Sequence, residues 1–410
     1  MVKVAILGFG VVGSGVAEVL SGNGAGIQKK ADELIEVKYI LDVRDFPDSP
    51  FAQHFVKDFS VIEHDPEVNV VVETIGGVGA ALDFTERALK QGKSVVTSNK
   101  ELVATHGRRL LDLAAQNNAV YLFEASVGGG IPILRPLSEC MSANEILEIC
   151  GILNGTANYI FTRMVKDHVP FTEALAGAQA NGYAEQDPSA DVEGKDTCRK
   201  LCILSSIAYG WHLLPDQVPT TGITKITLAD EAYAAAAGKS LKLLGRSIAR
   251  EDGTICAYVE PHFVGNQDPL AGVEDVFNAI KVKGNAVGDV MFYGRGAGKL
   301  PTASAVVADV VDALKNGSKV HDSLFWQPAE PVEGMLTDPA PAAYYVRAAG
   351  VAPAVVEAIY GRGRVVDEHF DGCSYLVEQA DAKAMAEAAR KVETVGGSVK
   401  LVLKKLPEEA

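Results

Sequence analysis

A short apolar run, Lys3-Val-Ala-Ile-Leu7, passes directly into Gly8-Phe9-Gly10-Val11-Val12-Gly13, after which Ser14–Leu20 spaces its apolar residues as a helix does. A G-x-G-x-x-G string alone is common, but between a strand and a helix it has a mechanism. The first glycine permits the tight turn and the second lets backbone approach a pyrophosphate. The third lets helix and strand pack closely, with the phosphates at the helix N-terminus. The alternation then continues. Strands are expected at Ile35–Leu41, Val68–Glu73, Ser94–Thr97 and Ala119–Phe123, with helices at Ala80–Gln91 and Glu101–Gln116. Strand–helix alternation to residue 123 predicts an α/β, Rossmann-type doubly wound parallel sheet. Its strand ends, Gly8–Gly13, Thr74–Gly77 and Ser98–Lys100, would line one crevice, and a lysine at such an end is placed to meet cofactor or substrate.

After the second strand comes Asp42-Val-Arg44. An acid here accepts hydrogen bonds from an adenosine ribose, as NAD requires, whereas an arginine pairs with the 2′-phosphate of NADP. The residues themselves leave both readings open. Further on, Glu124-Ala-Ser-Val127-Gly-Gly129-Gly-Ile131-Pro132 makes an irregular turn. Its carbonyls and one carboxylate would offer oxygen-only ligation to a hard cation. Without a cation it is simply an unusual turn.

With 410 residues, one core does not suffice, and two or three domains are expected. A formal net charge of −15 without a Lys/Arg-rich run argues against nucleic acid and anionic membrane as partners. The strand pattern starts at residue 3 and no apolar run reaches membrane-spanning length, so neither a signal peptide nor a transmembrane segment is expected. Six scattered cysteines without a C-x-x-C read as free thiols in a reducing cytoplasm.

The second chemical stretch is Gly182-Tyr-Ala-Glu185-Gln-Asp-Pro-Ser-Ala-Asp191-Val-Glu-Gly-Lys-Asp196-Thr-Cys-Arg-Lys200. An acidic loop rich in Gly and Pro leads into an apolar helix. With Asp191 as N-cap, Asp196 and Lys200 lie four apart on one face, and an amine held there can pass a proton. The plainer reading is a surface loop followed by an ordinary helical ion pair. Beyond it, Gly294-Arg-Gly296-Ala-Gly298 opens a helix, Thr302–Leu314, that could return to the first domain with its glycines near the cofactor. The expected organisation is a dinucleotide domain over 1–125 completed by 299–325, and an α+β substrate and dimerisation domain over 126–298. A proline-rich linker over 326–341 and a ferredoxin-like β-α-β-β-α-β tail over 342–410 follow. Such a tail has two open sheet edges and is expected to assist homo-oligomerisation.

Taken together, these stretches resemble homoserine dehydrogenase. The resemblance is carried by Gly8–Gly13, Thr97-Ser-Asn-Lys-Glu-Leu102, Phe123–Pro132, Gly151-Ile-Leu-Asn-Gly-Thr-Ala-Asn-Tyr159, Gly182–Lys200, and Gly296-Ala-Gly298 with Pro301-Thr-Ala-Ser304. It covers residues 1 to about 325 and implies interconversion of L-homoserine and L-aspartate 4-semialdehyde with NAD(P), on the route to threonine and methionine. By the matching positions, Lys200 would be the acid/base, with Asp196 supporting it. Glu185 would bind the substrate amino group, with Asp191 helping, and Lys100 would reach both cofactor and substrate. Gly8, Phe9, Gly10, Val11, Val12, Gly13, Gly296 and Gly298 would line the cofactor. Arg44 falls at the family's phosphate-reading position, which implies NADP with NAD tolerated. Glu124, Val127, Gly129 and Ile131 would hold a monovalent cation, normally sodium. The tail resembles the ACT regulatory domain, with a homodimer or homotetramer and a threonine effector as its implied partners. It departs from the ACT pattern in reading Gly350-Val-Ala-Pro353 where Asp-x-Pro-Gly is usual. Two rivals come from other classes. A semialdehyde dehydrogenase acting through a cysteine thiolate would need that cysteine at a polar strand–helix junction. A non-catalytic Rossmann/ACT ligand sensor would have no use for an intact Glu185, Asp196 and Lys200.

Overall fold

The computed structural model describes residues 1–317, 326, 340–369 and 372–406. The chain divides into two compact units. The first comprises Met1–Ile146, Arg199–Asp216 and Gly284–Pro331, the second Leu147–Cys198, Gln217–Lys283 and Val332–Ala410.

In the first unit, strands β1 (Val2–Leu7), β2 (Ile35–Leu41), β3 (Phe55–Val56), β4 (Val68–Glu73), β5 (Ser94–Thr97) and β6 (Tyr121–Leu122) lie in the order β3-β2-β1-β4-β5-β6. All of these pairings are parallel. Helices α1 (Val11–Gly22), α2 (Gly24–Ala31), α3 (Ser60–Glu63), α4 (Gly79–Lys90) and α5 (Lys100–Gln116) alternate with them. Val4 to Leu7 are all buried, because helices cover both faces of a parallel sheet and leave no polar side for alternate residues. The doubly wound sheet is therefore as expected.

The second unit contains β7 (Ile146–Ile152), α6 (Gly155–Asp167), α7 (Phe171–Ala180), α8 (Ser189–Val192), the start of α9 (Lys195–Tyr209), α10 (Leu228–Ala236), β8 (Lys239–Ala249), β9 (Ile255–Gly265) and β10 (Phe277–Gly284). Helix α9 is continuous across the division after Cys198, so its later turns belong to the first unit. Then β11 (Gly288–Arg295) leads into α11 (Lys299–Asn316). Ala303, Val306, Val307 and Val310 of α11 join Val16, Ala17 and Leu20 of α1 in one core cluster. The close approach is at Gly15, where a Cβ would stand 2.8 Å from the Lys299 carbonyl oxygen. The helix expected to return to the first sheet thus does so.

The tail adds β12 (Ala342–Ala349), α12 (Pro353–Tyr360), β13 (Gly363–His369), β14 (Gly372–Ala380), α13 (Ala382–Thr394) and β15 (Ser398–Lys405) in the ferredoxin-like order β15-β12-β14-β13. Of the two edges expected to be open, β15 is not: it pairs in parallel with β9, Lys404 opposite His262 and Lys405 opposite Phe263. Buried polar contacts explain the seam. The Lys404 ammonium lies 2.5 Å from Glu260 Oε1 and 4.0 Å from the Tyr258 ring centre. The buried Asp230 of α10 accepts from the Tyr345 hydroxyl at 2.9 Å and Arg347 Nε at 3.0 Å. Most of the expected linker lies outside the described residues. Its first residue, Trp326, is buried in the first unit, edge-on to Phe123 and His212, and its ring stands 2.9 Å from where a Cβ on Gly107 would be.

Candidate active site

The crevice begins at the turn after β1. Gly8 has φ +89°, and a Cβ there would stand 2.9 Å from the Thr74 carbonyl oxygen; a Cβ on Gly13 would collide with the Gly8 carbonyl. Gly10 faces open space, and as the α1 N-cap it makes no side-chain capping bond. The first N–H groups of α1 therefore remain available to an anion, which fits a dinucleotide pyrophosphate. Phe9, Val11 and Val12 complete the same turn, and Gly298 precedes α11 with φ +127°.

At the end of β2, Asp42 is occupied by its own chain. Its oxygens accept from Phe9 N at 2.7 Å, Arg44 N at 2.9 Å, Arg44 Nε at 3.1 Å and an Arg44 Nη at 3.0 Å. Burial alone would raise its pKa; the Arg44 side chain and these N–H groups together hold it at about 2. The Arg44 guanidinium lies 5.1 Å from the Phe46 ring centre and is more than half exposed. Lys57, which the sequence reading passed over, donates to the carbonyls of Asp42, Val43 and Arg44. Nothing in its spacing singles it out; a long irregular connection brings it there.

In the second unit, Asn154 caps α6 by accepting from Ala157 N at 2.7 Å. Its amide nitrogen donates to Asp191 Oδ1 at 2.6 Å and Asp196 Oδ2 at 2.8 Å, clamping two of the predicted acids. The sequence assigns Asn154 no role of its own; the signal for it is the cap position three residues before Ala157. Thr156 donates to the Tyr183 carbonyl at 2.7 Å and so holds the loop that carries Glu185. Glu185 itself is exposed, and none of the described bonds joins its carboxylate to the clamp. Asp191 is not the cap of α9. Pro188 opens the short helix α8 that contains it, and Gly194, at φ +83°, separates α8 from α9. Asp196 and Lys200 nevertheless sit four apart on α9, and both are buried.

Lys100 is the first residue of α5, whose N-cap Asn99 accepts from Leu102 N at 3.0 Å. The ion pair Arg199–Glu101, at 2.8 Å, ties the neighbours of Lys200 and Lys100 together within the first unit. At the irregular turn, Glu124 accepts from the N–H groups of Ile133, Leu134 and Arg135 at 2.6–2.9 Å. Val127, Gly129 and Ile131 are buried beside it, with Gly129 at φ +54° against Gly296. Of the thiols weighed as nucleophiles, Cys140 is exposed, Cys198 and Cys202 are buried in α9, and burial pushes Cys150 up to about 12.

A pyrophosphate cradle, together with a helix bearing a buried acid and a buried amine, suits a dinucleotide-dependent dehydrogenase. The cofactor moves the hydride and a side chain moves the proton. Comparison with known proteins narrows this to a family. Family models described as homoserine dehydrogenase and as its NAD binding domain match residues 132–311 and 8–124. Homoserine dehydrogenase of Bacillus subtilis is 41% identical over 321 residues, 77% of this chain and 73% of that one. The crystal structure of a homoserine dehydrogenase from Thiobacillus denitrificans matches with a TM-score of 0.86 at 33% identity, over 99% of this chain and 98% of that one. A hyperthermophilic archaeal homoserine dehydrogenase in complex with NADPH matches at 0.64 and 28%, over 76% and 97%. The chain belongs to the homoserine dehydrogenase family. It is an NAD(P)-dependent oxidoreductase of amino-acid biosynthesis, acting on the homoserine hydroxyl. No helix among the described residues is long and apolar enough to cross a membrane.

Proposed function

We propose that Lys200 is the acid/base of this dehydrogenase, protonating the aldehyde oxygen of L-aspartate 4-semialdehyde and taking the hydroxyl proton of L-homoserine in reverse. The observation that carries this is the Asn154 amide, which holds Asp191 and Asp196 together at the head of the helix bearing Lys200. Bound NADP supplies or accepts the hydride. Asp196 orients the Lys200 end of α9, Asp191 and Glu185 take the substrate ammonium, and Lys100 meets cofactor and substrate at the start of α5. Glu185→Ala tests the substrate half: homoserine KM should rise about ten-fold or more with a smaller change in kcat. An unchanged KM removes Glu185 from the site.

NADP is the preferred cofactor in this reading, because Asp42 already spends its oxygens on Phe9 and Arg44 rather than awaiting a ribose. Arg44 pairs with Asp42 and Lys57 with Asp45 at the same loop, and the Arg44 guanidinium is more than half exposed, where a phosphate can reach it. Arg44→Ala should weaken NADP binding by about ten- to a hundred-fold, the weight of a charge-assisted contact, and NAD binding far less. Equal loss for both cofactors would show that Arg44 does not read the phosphate.

Glu124, Val127, Gly129 and Ile131 hold a monovalent cation, with sodium fitting the all-oxygen set. In support, no hydrogen bond among the described residues ends on the carbonyl oxygens of Val127, Gly129 or Ile131, though all three residues are buried. Three N–H donors still leave the Glu124 carboxylate a lone pair to give. Sodium should raise Tm above that in tetramethylammonium; equal melting in both ends the assignment. Strand β13, at the edge of its sheet among the described residues, suits self-association into a homodimer or homotetramer, which light scattering reads directly. The altered loop at Gly350–Pro353 makes the tail a poor threonine sensor. Activity that resists millimolar threonine is the expected result, and inhibition would overturn it.

A further inference from the structure

Glu73, the last residue of β4, is completely buried, yet no cation bonds it among the described residues. Its oxygens accept from neutral donors, Ile75 N at 2.6 Å and the Thr97 hydroxyl at 2.5 Å. Burial raises its pKa, and hydrogen bonding from its neighbours acts against the rise. A buried carboxylate is costly, and one held by donors from two segments becomes a rigid node. The node extends outward. Thr97 Oγ1 accepts from Asn99 N at 2.9 Å, and Asn99 Nδ2 donates to the Gly77 carbonyl at 2.6 Å. The Asn99 Oδ1 caps the helix that begins at Lys100. One carboxylate thereby joins the turn after β4 to the turn after β5.

The strand order β3-β2-β1-β4-β5-β6 reverses between β1 and β4, where a dinucleotide lies across a doubly wound sheet. The β2 side receives the adenosine, so the ends of β4 and β5 face the nicotinamide half. We propose that Glu73 is a positioning residue for that half, holding the Ile75–Gly77 turn and the Asn99–Lys100 helix start as one rim through Thr97. The glycine fingerprint has no part in this, and the assignment does not depend on Lys200 being the acid/base.

The test uses the full-length chain with Glu73→Gln, Thr97→Val and the double variant. Glutamine keeps the volume but turns one acceptor into a donor; valine keeps the threonine shape without its hydroxyl. NADPH Kd from fluorescence titration, kcat, homoserine KM and Tm are measured together. Each single variant should raise NADPH Kd and lower kcat by about ten-fold, the worth of a buried hydrogen bond. Homoserine KM should stay within about two-fold, since the rim acts on the cofactor side. Thr97→Ser, which restores the hydroxyl, should recover most of the loss, and the double variant should be no worse than the poorer single, as for one network. The proposal is overturned if either folded single variant keeps wild-type Kd and kcat, or if the losses follow Tm alone. Additive losses in the double variant also sink it. A Lys200→Ala enzyme that stays active would remove the proton assignment and leave this result standing.

Discussion

Replacing Lys200 by alanine lowers turnover by roughly two to four orders of magnitude, the usual weight of a general acid, with NADP affinity almost unchanged. Lys200 is 7% exposed on α9, one turn beyond Asp196, which is 2% exposed. A buried amine one helical turn from a buried carboxylate does little for solubility and is costly to desolvate, so its placement calls for a task. Hydride transfer to an aldehyde creates an alkoxide that must be protonated, and no buried thiol here can replace that acid. The readouts are kcat for homoserine-dependent NADP reduction and a separate cofactor titration. An alanine variant with near-wild-type turnover would reduce Lys200 to a helix ion-pair residue.

Removing the tail, by ending the chain after about residue 339, should cost the fold and not merely the assembly. Deletion strips β9 of its β15 partner and leaves Glu260 without Lys404. It also leaves the buried Asp230 without Tyr345 and Arg347. Each buried acceptor left unpaired costs about 1–3 kcal/mol. At roughly 2–4 °C per kcal/mol for a unit of this size, Tm should fall by about 10 °C or more, with much of the product insoluble. A truncated chain that melts within a few degrees of full length and keeps its activity would show the tail to be an independent appendage. Arg347→Met offers a milder version, with a smaller loss in the same direction.

What could be read from the sequence was whatever the backbone demands locally. Gly8 and Gly13 report a tight turn and a close helix, and the structure needs both for that reason, while Gly10 stands in open space before the helix. The approximate extents of the strands in the parallel sheet were legible in the same way. Pair choice was not. Asp42 and Arg44 were both singled out as rival cofactor readers, while the structure bonds them to each other. The cap role given to Asp191 failed because Pro188 starts a helix of its own and Gly194 breaks it. Trp326 was placed in a linker because prolines follow it, yet a ring that size finds room under Gly107. The seam of β15 on β9 depends on residues more than a hundred positions apart, which no local periodicity encodes.

The alternation of the chain between its two units bears on how the molecule is made. Each unit is assembled from three separate stretches, so the polypeptide changes unit five times between its ends. The first unit has all of its residues by Pro331, whereas the second is not complete until the last stretch has been made. Val332–Ala410, the last stretch, belongs to the unit begun at Leu147. Contacts of such long sequence separation slow folding and leave strand edges uncovered meanwhile. Nascent chains stalled short of β15 would therefore depend on chaperones more than finished ones. For the same reason, no single cut yields a cofactor half and a substrate half that could later be mixed to restore activity.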